Sequence, residues 1–313
     1  MLFILTLCIL LGCKGDAKEG GAAQASTRNP ATTKLPPTGF DGSSAYSYAK
    51  TQVGFGPRVP GTPAAKKAGD WIIQQMRERA DTVIVQSFTH TTADGKKLPL
   101  RNIIARFRPQ ATDRVLYVTH WDSRPISESA TDPAEQKLPV PGANDGASGV
   151  GMFIALADVL KRQPPLYGVD LLFTDGEDYG QFGPPEVDVL LGSKYFAAHP
   201  PSTNYRPVFG VLWDMIGDKD LRIRKEDYSV QRAPEVVDRV WAQAAELGYG
   251  KIFVDENQGM ITDDHVPLLL AGMRVIDVID LDYPYHHRPS DTLDKISARS
   301  LSIVGEVAEA LLR

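Results

Sequence analysis

The chain has 313 residues, 42% of them hydrophobic and 23% charged, with a formal net charge of -5 and no dense Lys/Arg cluster. That balance excludes a fibre or a disordered chain, and it lacks the electrostatic footprint of a nucleic-acid binder. The only cysteines, Cys8 and Cys13, lie in the N-terminal apolar run, so the rest of the chain has no internal disulfide, no thiol catalysis and no thiolate metal site.

Residues 1–13, MLFILTLCILLGC, form an apolar run too short to span a bilayer. Although no Lys or Arg precedes the apolar core, the run resembles a bacterial lipoprotein signal, whose cleavage would leave Cys13 as the lipidated N-terminus. The expectation is export, with the chain lipid-anchored to a bacterial membrane, facing the periplasm or at the cell surface. Residues 14–39 are rich in Gly, Ala, Ser, Thr and Pro without apolar periodicity, and read as a flexible tether. Residues 40–313 suffice for one large α/β domain with a single core.

Within that domain, apolar, β-branched runs alternate with helical patterns. "TVIVQSF", "NIIARF", "RVLYVTH", "VDLLFTD", "VFGVLWDMIG" and "MRVIDVID" read as strands. The spacing predicts helices from Ala64 to Ala80, Ala147 to Arg162, Pro234 to Leu247 and Ala298 to Leu312. Strands apolar along nearly their whole length are buried on both faces, which implies a mostly parallel sheet flanked by helices. In such sheets ligands bind beyond the carboxyl ends of the strands, so the polar residues there are the ones to read for chemistry.

Those ends carry donors for a hard or borderline cation. The first long apolar strand runs into His120-Trp121-Asp122, the second into Gly176-Glu177-Asp178, the third into Asp214, and the last leads to His286 and His287. Asp145 sits in the Gly-rich loop "PGANDGASGVG" just before a helix. Singly, each is more ordinarily a turn former, an N-cap or a surface group. Gathered on one edge, oxygen and imidazole donors without thiolates suit a catalytic Zn²⁺.

His120-Trp121-Asp122, Asn144-Asp145-Gly146-Ala147, Glu177-Asp178, Trp213-Asp214-Met215 and the final His before Asp291-Thr292 resemble the zinc-binding set of the M28 metallopeptidase clan. Within it, "GFGPRVPGTPA", "HWDSRP", "GANDGASGVG", "DGEDYG" and "ITDDHVPLLLAG" look like the bacterial glutaminyl-peptide cyclotransferases, as does Asp263, where aminopeptidases usually differ. The resemblance implies a single-domain α/β/α sandwich around a mixed, mostly parallel sheet. It also implies one Zn²⁺ held by Asp145, Asp178 and His287, the histidine being the one four residues before Asp291. Glu177 would shuttle a proton, with Asp214 and Asp263 behind it and Asp277 joining them, while His120 stays near the metal but unbound. The substrate would be the N-terminus of a peptide or protein. His286 stands where the cyclases generally have Trp, an aromatic of the substrate pocket. Phe182, Tyr283 and Tyr285 are candidates for a replacement aromatic wall.

Two alternatives stay open. An aminopeptidase would use the same residues with two zinc ions, Asp145 bridging, His287 and Asp178 on one, His120 and Asp214 on the other, and Glu177 activating a water. An inactive peptide-binding module on the same fold would be expected to have lost Glu177 or a ligand, and both are intact. Among the remaining polar residues, Arg58 and Arg124 read as solvated, paired with Asp, or facing a peptide carboxylate. His265 reads as packing at a helix N-terminus, His90 and His199 as surface residues, and Trp121 and Trp213 as packing beside the site.

Overall fold

The computed structural model describes residues 38–313; the leader, Cys13 and nearly all of the tether lie outside the described residues. Gly39 is already tied to the domain, its amide donating to Glu309 Oε2 at 2.9 Å.

Among the described residues, eight strands form two sheets: β1 (Thr82–Thr91), β2 (Lys97–Phe107), β3 (Arg114–His120), β4 (Gly168–Thr174), β5 (Phe209–Asp214), β6 (Ile223–Lys225), β7 (Phe253–Asn257) and β8 (Val275–Ile279). Six of them make the central sheet, ordered β1-β2-β4-β3-β5-β8, and β6 pairs with β7 apart from it. The pairs β3-β4, β3-β5 and β5-β8 are parallel. β1-β2 and β2-β4 are antiparallel, which makes the sheet mixed. Every residue of β3, β4, β5 and β8 is buried, the pattern their unbroken apolar runs predict.

The helices are α1 (Gly42–Val53), α2 (Pro63–Arg77), α3 (Ala147–Arg162), α4 (Leu191–Ala198), α5 (Asp227–Arg232), α6 (Pro234–Glu246), α7 (His265–Leu270) and α8 (Ala298–Ala310). The larger core layer joins α1, α2, α3, α6 and α8 to one face of the sheet through residues such as Ile72, Phe153, Val240 and Val304. On the other face Phe196 of α4 and Leu268 of α7 pack on Ile104, Leu116, Val118 and Leu212. The result is the expected α/β/α sandwich. The four predicted helices form within a few residues of their expected bounds, α2 starting on Pro63 with Thr62 capping the Ala65 amide.

α3 lies so close to the sheet at Gly149 that a Cβ there would collide with the Thr119 hydroxyl and come within 2.8 Å of the Trp213 carbonyl. This contact fixes the start of α3, and the Asp145 loop before it, against the ends of β3 and β5. Register does the rest: His120 pairs with Thr174, and Asp214 with Ile279, so the carboxyl ends of four parallel strands finish level with one another.

Candidate metal centre

Two buried carboxylates shape the loops that carry the donors. Asp122, just past β3, accepts the amides of Glu177 (3.1 Å) and Asp178 (3.2 Å), holding the turn after β4 in the shape that presents both side chains. Asp291 accepts the amides of Asn144 (2.9 Å) and Asp145 (3.2 Å), and the Tyr283 hydroxyl donates to it at 2.6 Å. The helix following Asp145 is preceded by Gly146 at φ 91°, without a side-chain cap, so Asp145 is free of that duty. Beneath this loop the fully buried Arg58 donates to the carbonyls of Pro141 and Gly142, the latter at 2.7 Å.

His287 comes close to both carboxylates expected to share its metal, although Asp145, Asp178 and His287 do not together form a donor group with all ligating atoms within 4.8 Å of one another. His287 Nε2 lies 3.4 Å from Asp178 Oδ1 and 3.8 Å from Asp145 Oδ2. Its Nδ1 donates to Glu128 Oε1 at 2.8 Å, and Glu128 in turn pairs with Arg124 at 2.6 Å. Arg124 Nη1 donates to Asp178 Oδ1 at 2.6 Å, closing a chain that orients two of the candidate ligands through their outer atoms. This is the arrangement that metal-binding histidines and carboxylates adopt. Burial disfavours a charged His287, but Asp178 and Glu128 prevail and push its pKa up to about 10.

His120 is buried between carboxylates, with Nε2 3.0 Å from Asp145 Oδ1 and 3.1 Å from Asp214 Oδ1, and Nδ1 3.8 Å from Glu177 Oε2. Burial again opposes its charge, and Asp214 foremost overcomes that and lifts its pKa well above the ordinary imidazole value. Burial raises the Asp145 carboxyl, but the bond from His120 holds it well below the carboxylate range. Glu177 goes the other way: burial first, then the charge on Asp263, lift it well above the ordinary value. Asp263 is lifted by burial and Asp214, and Asp277 by burial and Asp263, so this group shares protons.

The donor set fits a divalent cation. Asp145 Oδ2 and Asp178 Oδ2 are buried with no hydrogen-bond partner, as is His120 Nδ1, and such atoms are costly unless something meets them. Two donor groups share Asp145: one with His286 and His287, the other with His120 and Asp214, each with one ligating atom per residue within 4.8 Å of the others. Asp145, Glu177, Asp178, Asp214, Asp263 and both histidines border a cavity of about 150 Å³. That is below the roughly 300–1,000 Å³ of a drug-sized ligand site and suits a single residue. A larger cavity of about 680 Å³ adjoins Trp121, Phe88 and Leu100, but Asp175 is its only candidate metal donor.

Several expectations need correction. Arg124 is paired with Asp178, one of the readings given for it, whereas Arg58 is fully buried on backbone carbonyls; neither is solvated or faces a substrate carboxylate. Of the proposed aromatic wall only Phe182 borders the small cavity; Tyr283 is turned to Asp291, and Tyr285 packs on it at 5.4 Å. His90 is half-buried and bonded to Asp188 at 2.6 Å. His265 does sit at the start of α7, buried and facing Glu226 at 3.2 Å, and Trp121 and Trp213 are buried beside the site. Glu128, which holds His287, was missed; it reaches that histidine from 159 residues away, and no local spacing announces it.

The profile of peptidase family M28 matches residues 102–312. Among solved structures, Porphyromonas gingivalis glutaminyl cyclase is 38% identical, with a TM-score of 0.84 over 87% of this chain and 98% of its own. A protein from Bacteroides thetaiotaomicron named a leucine aminopeptidase precursor is 37% identical, with a TM-score of 0.84 over 87% and 97%. The Drosophila melanogaster glutaminyl-peptide cyclotransferase is 27% identical over 265 residues, 77% of this chain and 72% of the relative. Across three such curated relatives the match spans 44%, 72% and 77% of their own length.

Proposed function

The chain belongs to peptidase family M28, and from that premise we propose that it is a zinc-dependent glutaminyl-peptide cyclotransferase, closing the N-terminal Gln of peptides and proteins to pyroglutamate with release of ammonia. The observation that carries this reading is Glu177: a buried acid, raised by burial and by Asp263, bordering a cavity of one-residue size beside Asp145, Asp178 and His287.

In the reaction the substrate's α-amine nitrogen attacks the γ-carboxamide carbon, and the bond from that carbon to the amide nitrogen breaks. The amine loses one proton and the departing nitrogen gains one, so a single group can carry it. Glu177 is pulled between acid and carboxylate by opposing influences, burial and Asp263 raising its pKa and the charge on His120 lowering it, as such a carrier requires. Asp263 stands beside it, its own pKa lifted by burial and by the charge on Asp214. Asp145, Asp178 and His287 would hold a Zn²⁺ ion, which when bound would supply Lewis-acid polarisation of the γ-carboxamide carbonyl. Ile261, Ile279 and Phe182 give the cavity an apolar side.

The donor group His120, Asp145 and Asp214 favours a second reading, a two-zinc aminopeptidase in which Glu177 activates water. Incubating the zinc-loaded chain with an N-terminal Gln peptide separates them by mass spectrometry. Loss of ammonia from an otherwise intact peptide supports the cyclase; release of free glutamine overturns it. We further propose that Cys13 anchors the exported chain through lipid, for which the mass of the purified mature N-terminus is the test.

A further inference from the structure

Neighbouring side chains seldom share a target. In a strand they point to opposite faces, and along a helix residues i and i+1 do not face one another. The rings of His286 and His287 nevertheless lie with centroids 3.7 Å apart, tilted by 46°. The backbone is the reason. His287 has φ 54°, a left-handed conformation that costs a non-glycine residue about 1–2 kcal/mol and persists only where the surroundings impose it. Here the flanking turns do so: the His286 amide donates to the Tyr283 carbonyl at 3.3 Å and the Arg288 amide to the Tyr285 carbonyl at 3.1 Å.

The effect of this kink is that both imidazoles address Asp145. One nitrogen from each ring and one Asp145 oxygen lie within 4.8 Å of one another. His287 commits its Nδ1 to Glu128, whereas the His286 ring forms no side-chain hydrogen bond among the described residues. Asp178, the carboxylate in the expected ligand set, has one oxygen drawn away by Arg124 at 2.6 Å. A ring held beside unpartnered carboxylate oxygens, at a backbone cost and with no bond of its own, is placed as a donor.

The geometry points to His286 as a metal ligand alongside Asp145, Asp178 and His287, giving the centre two imidazoles where the family resemblance implies one. The proposal rests on the metal-centre part of the reading above and is independent of whether the reaction is cyclisation or hydrolysis. A second imidazole makes the site richer in nitrogen, favouring Zn²⁺, Co²⁺ and Ni²⁺ over the oxygen-seeking Mg²⁺ and Ca²⁺.

The test compares the wild-type chain with His286→Phe and His286→Ala, each loaded with zinc. X-ray absorption fine structure counts the imidazoles bound, and competition with a chromophoric chelator gives the affinity. Both variants are expected to lose one imidazole per protein and to bind zinc roughly tenfold or more weakly, the least that disturbing a metal's ligand shell usually costs. An unchanged imidazole count in both variants overturns the proposal whatever the affinity does. A wild-type chain that takes up no stoichiometric zinc overturns the metal-centre reading itself, and is recognisable because the variants are then not needed. Thermal melts of the metal-free proteins establish that each variant is folded, and Ala and Phe differ enough in size that a packing fault in one would not recur in the other.

Discussion

Metal uptake should depend steeply on pH, and the slope reports how many histidines surrender a proton. Without metal, His287 is held at about 10 by Asp178 Oδ1 at 3.4 Å and Glu128 Oε1 at 2.8 Å, against the opposing effect of burial. A ligating imidazole must be neutral, so below pH 10 every ion that binds displaces a proton from His287. At pH 7 that competition spans about 3 pKa units, on the order of 4 kcal/mol. Apparent affinity should therefore rise about tenfold per pH unit between pH 6.5 and 8.5, with about one proton released per ion. His286 adds nothing to the slope, because burial and His287 lower its pKa and leave it neutral. His120 distinguishes the two readings: against burial, Asp214 lifts its pKa well above the ordinary imidazole value, so binding a second ion through it would cost a further proton, which steepens the dependence. The assay is zinc titration against a chelator of known pH response, with proton release followed in weak buffer. An affinity that stays flat from pH 6.5 to 8.5 would refute the assignment of His287 as a charged group awaiting a metal.

Further outcomes follow from the same geometry. Glu177→Gln should lower turnover of an N-terminal Gln peptide by roughly 10²-fold or more while zinc content is unchanged, the usual loss on removing a general acid-base; near-normal turnover would remove it from the role of proton carrier. His120→Ala should retain one equivalent of zinc by elemental analysis, whereas a two-ion centre would lose an ion. Asp280, buried and accepting the Arg222 amide at 3.0 Å, is pushed up to about 7 by burial. Its folded form keeps a proton that the unfolded chain releases above about pH 4, so its contribution to stability is lost as pH rises from 4 through 7. Asp280→Asn should flatten that decline by on the order of 2–4 kcal/mol between pH 5 and 8 in urea unfolding, and parallel pH profiles of the two proteins would count against it.

What the sequence discloses here and what it hides have physical reasons. The buried strands are legible because each is one unbroken apolar run, and the donors are legible because each follows such a run directly. Strand direction is not written in that pattern, so the antiparallel places of β1 and β2 emerge only from the fold. The helix α1, GSSAYSYAKTQV, has no strong apolar stripe to mark it in the sequence; its seat is made by the partner, where Gly151 of α3 lets the backbone near Ala45 and Ala49 approach. The strands β6 and β7 are too short for any period to register. Around the metal centre, residue types announced the candidate ligands but not their supports. The links His287-Glu128 and Arg124-Asp178 join segments distant in sequence, and they exist only once the sheet has formed.

The donors are spread from Asp145 to His287 and meet only when β8 has paired with β5 and β5 with β3. Parallel pairings of such range are slow to form, so a folding species that lacks them should offer no finished site. A bound ion thus acts on the native state alone, adding about 4 kcal/mol when free metal exceeds its dissociation constant a thousandfold. An interaction absent from the folding transition state slows unfolding and leaves the folding rate alone. If the centre binds a metal, its supply should govern the lifetime of the folded chain: starved of the ion, the protein should fold at its usual speed yet open, and meet proteases, far more often.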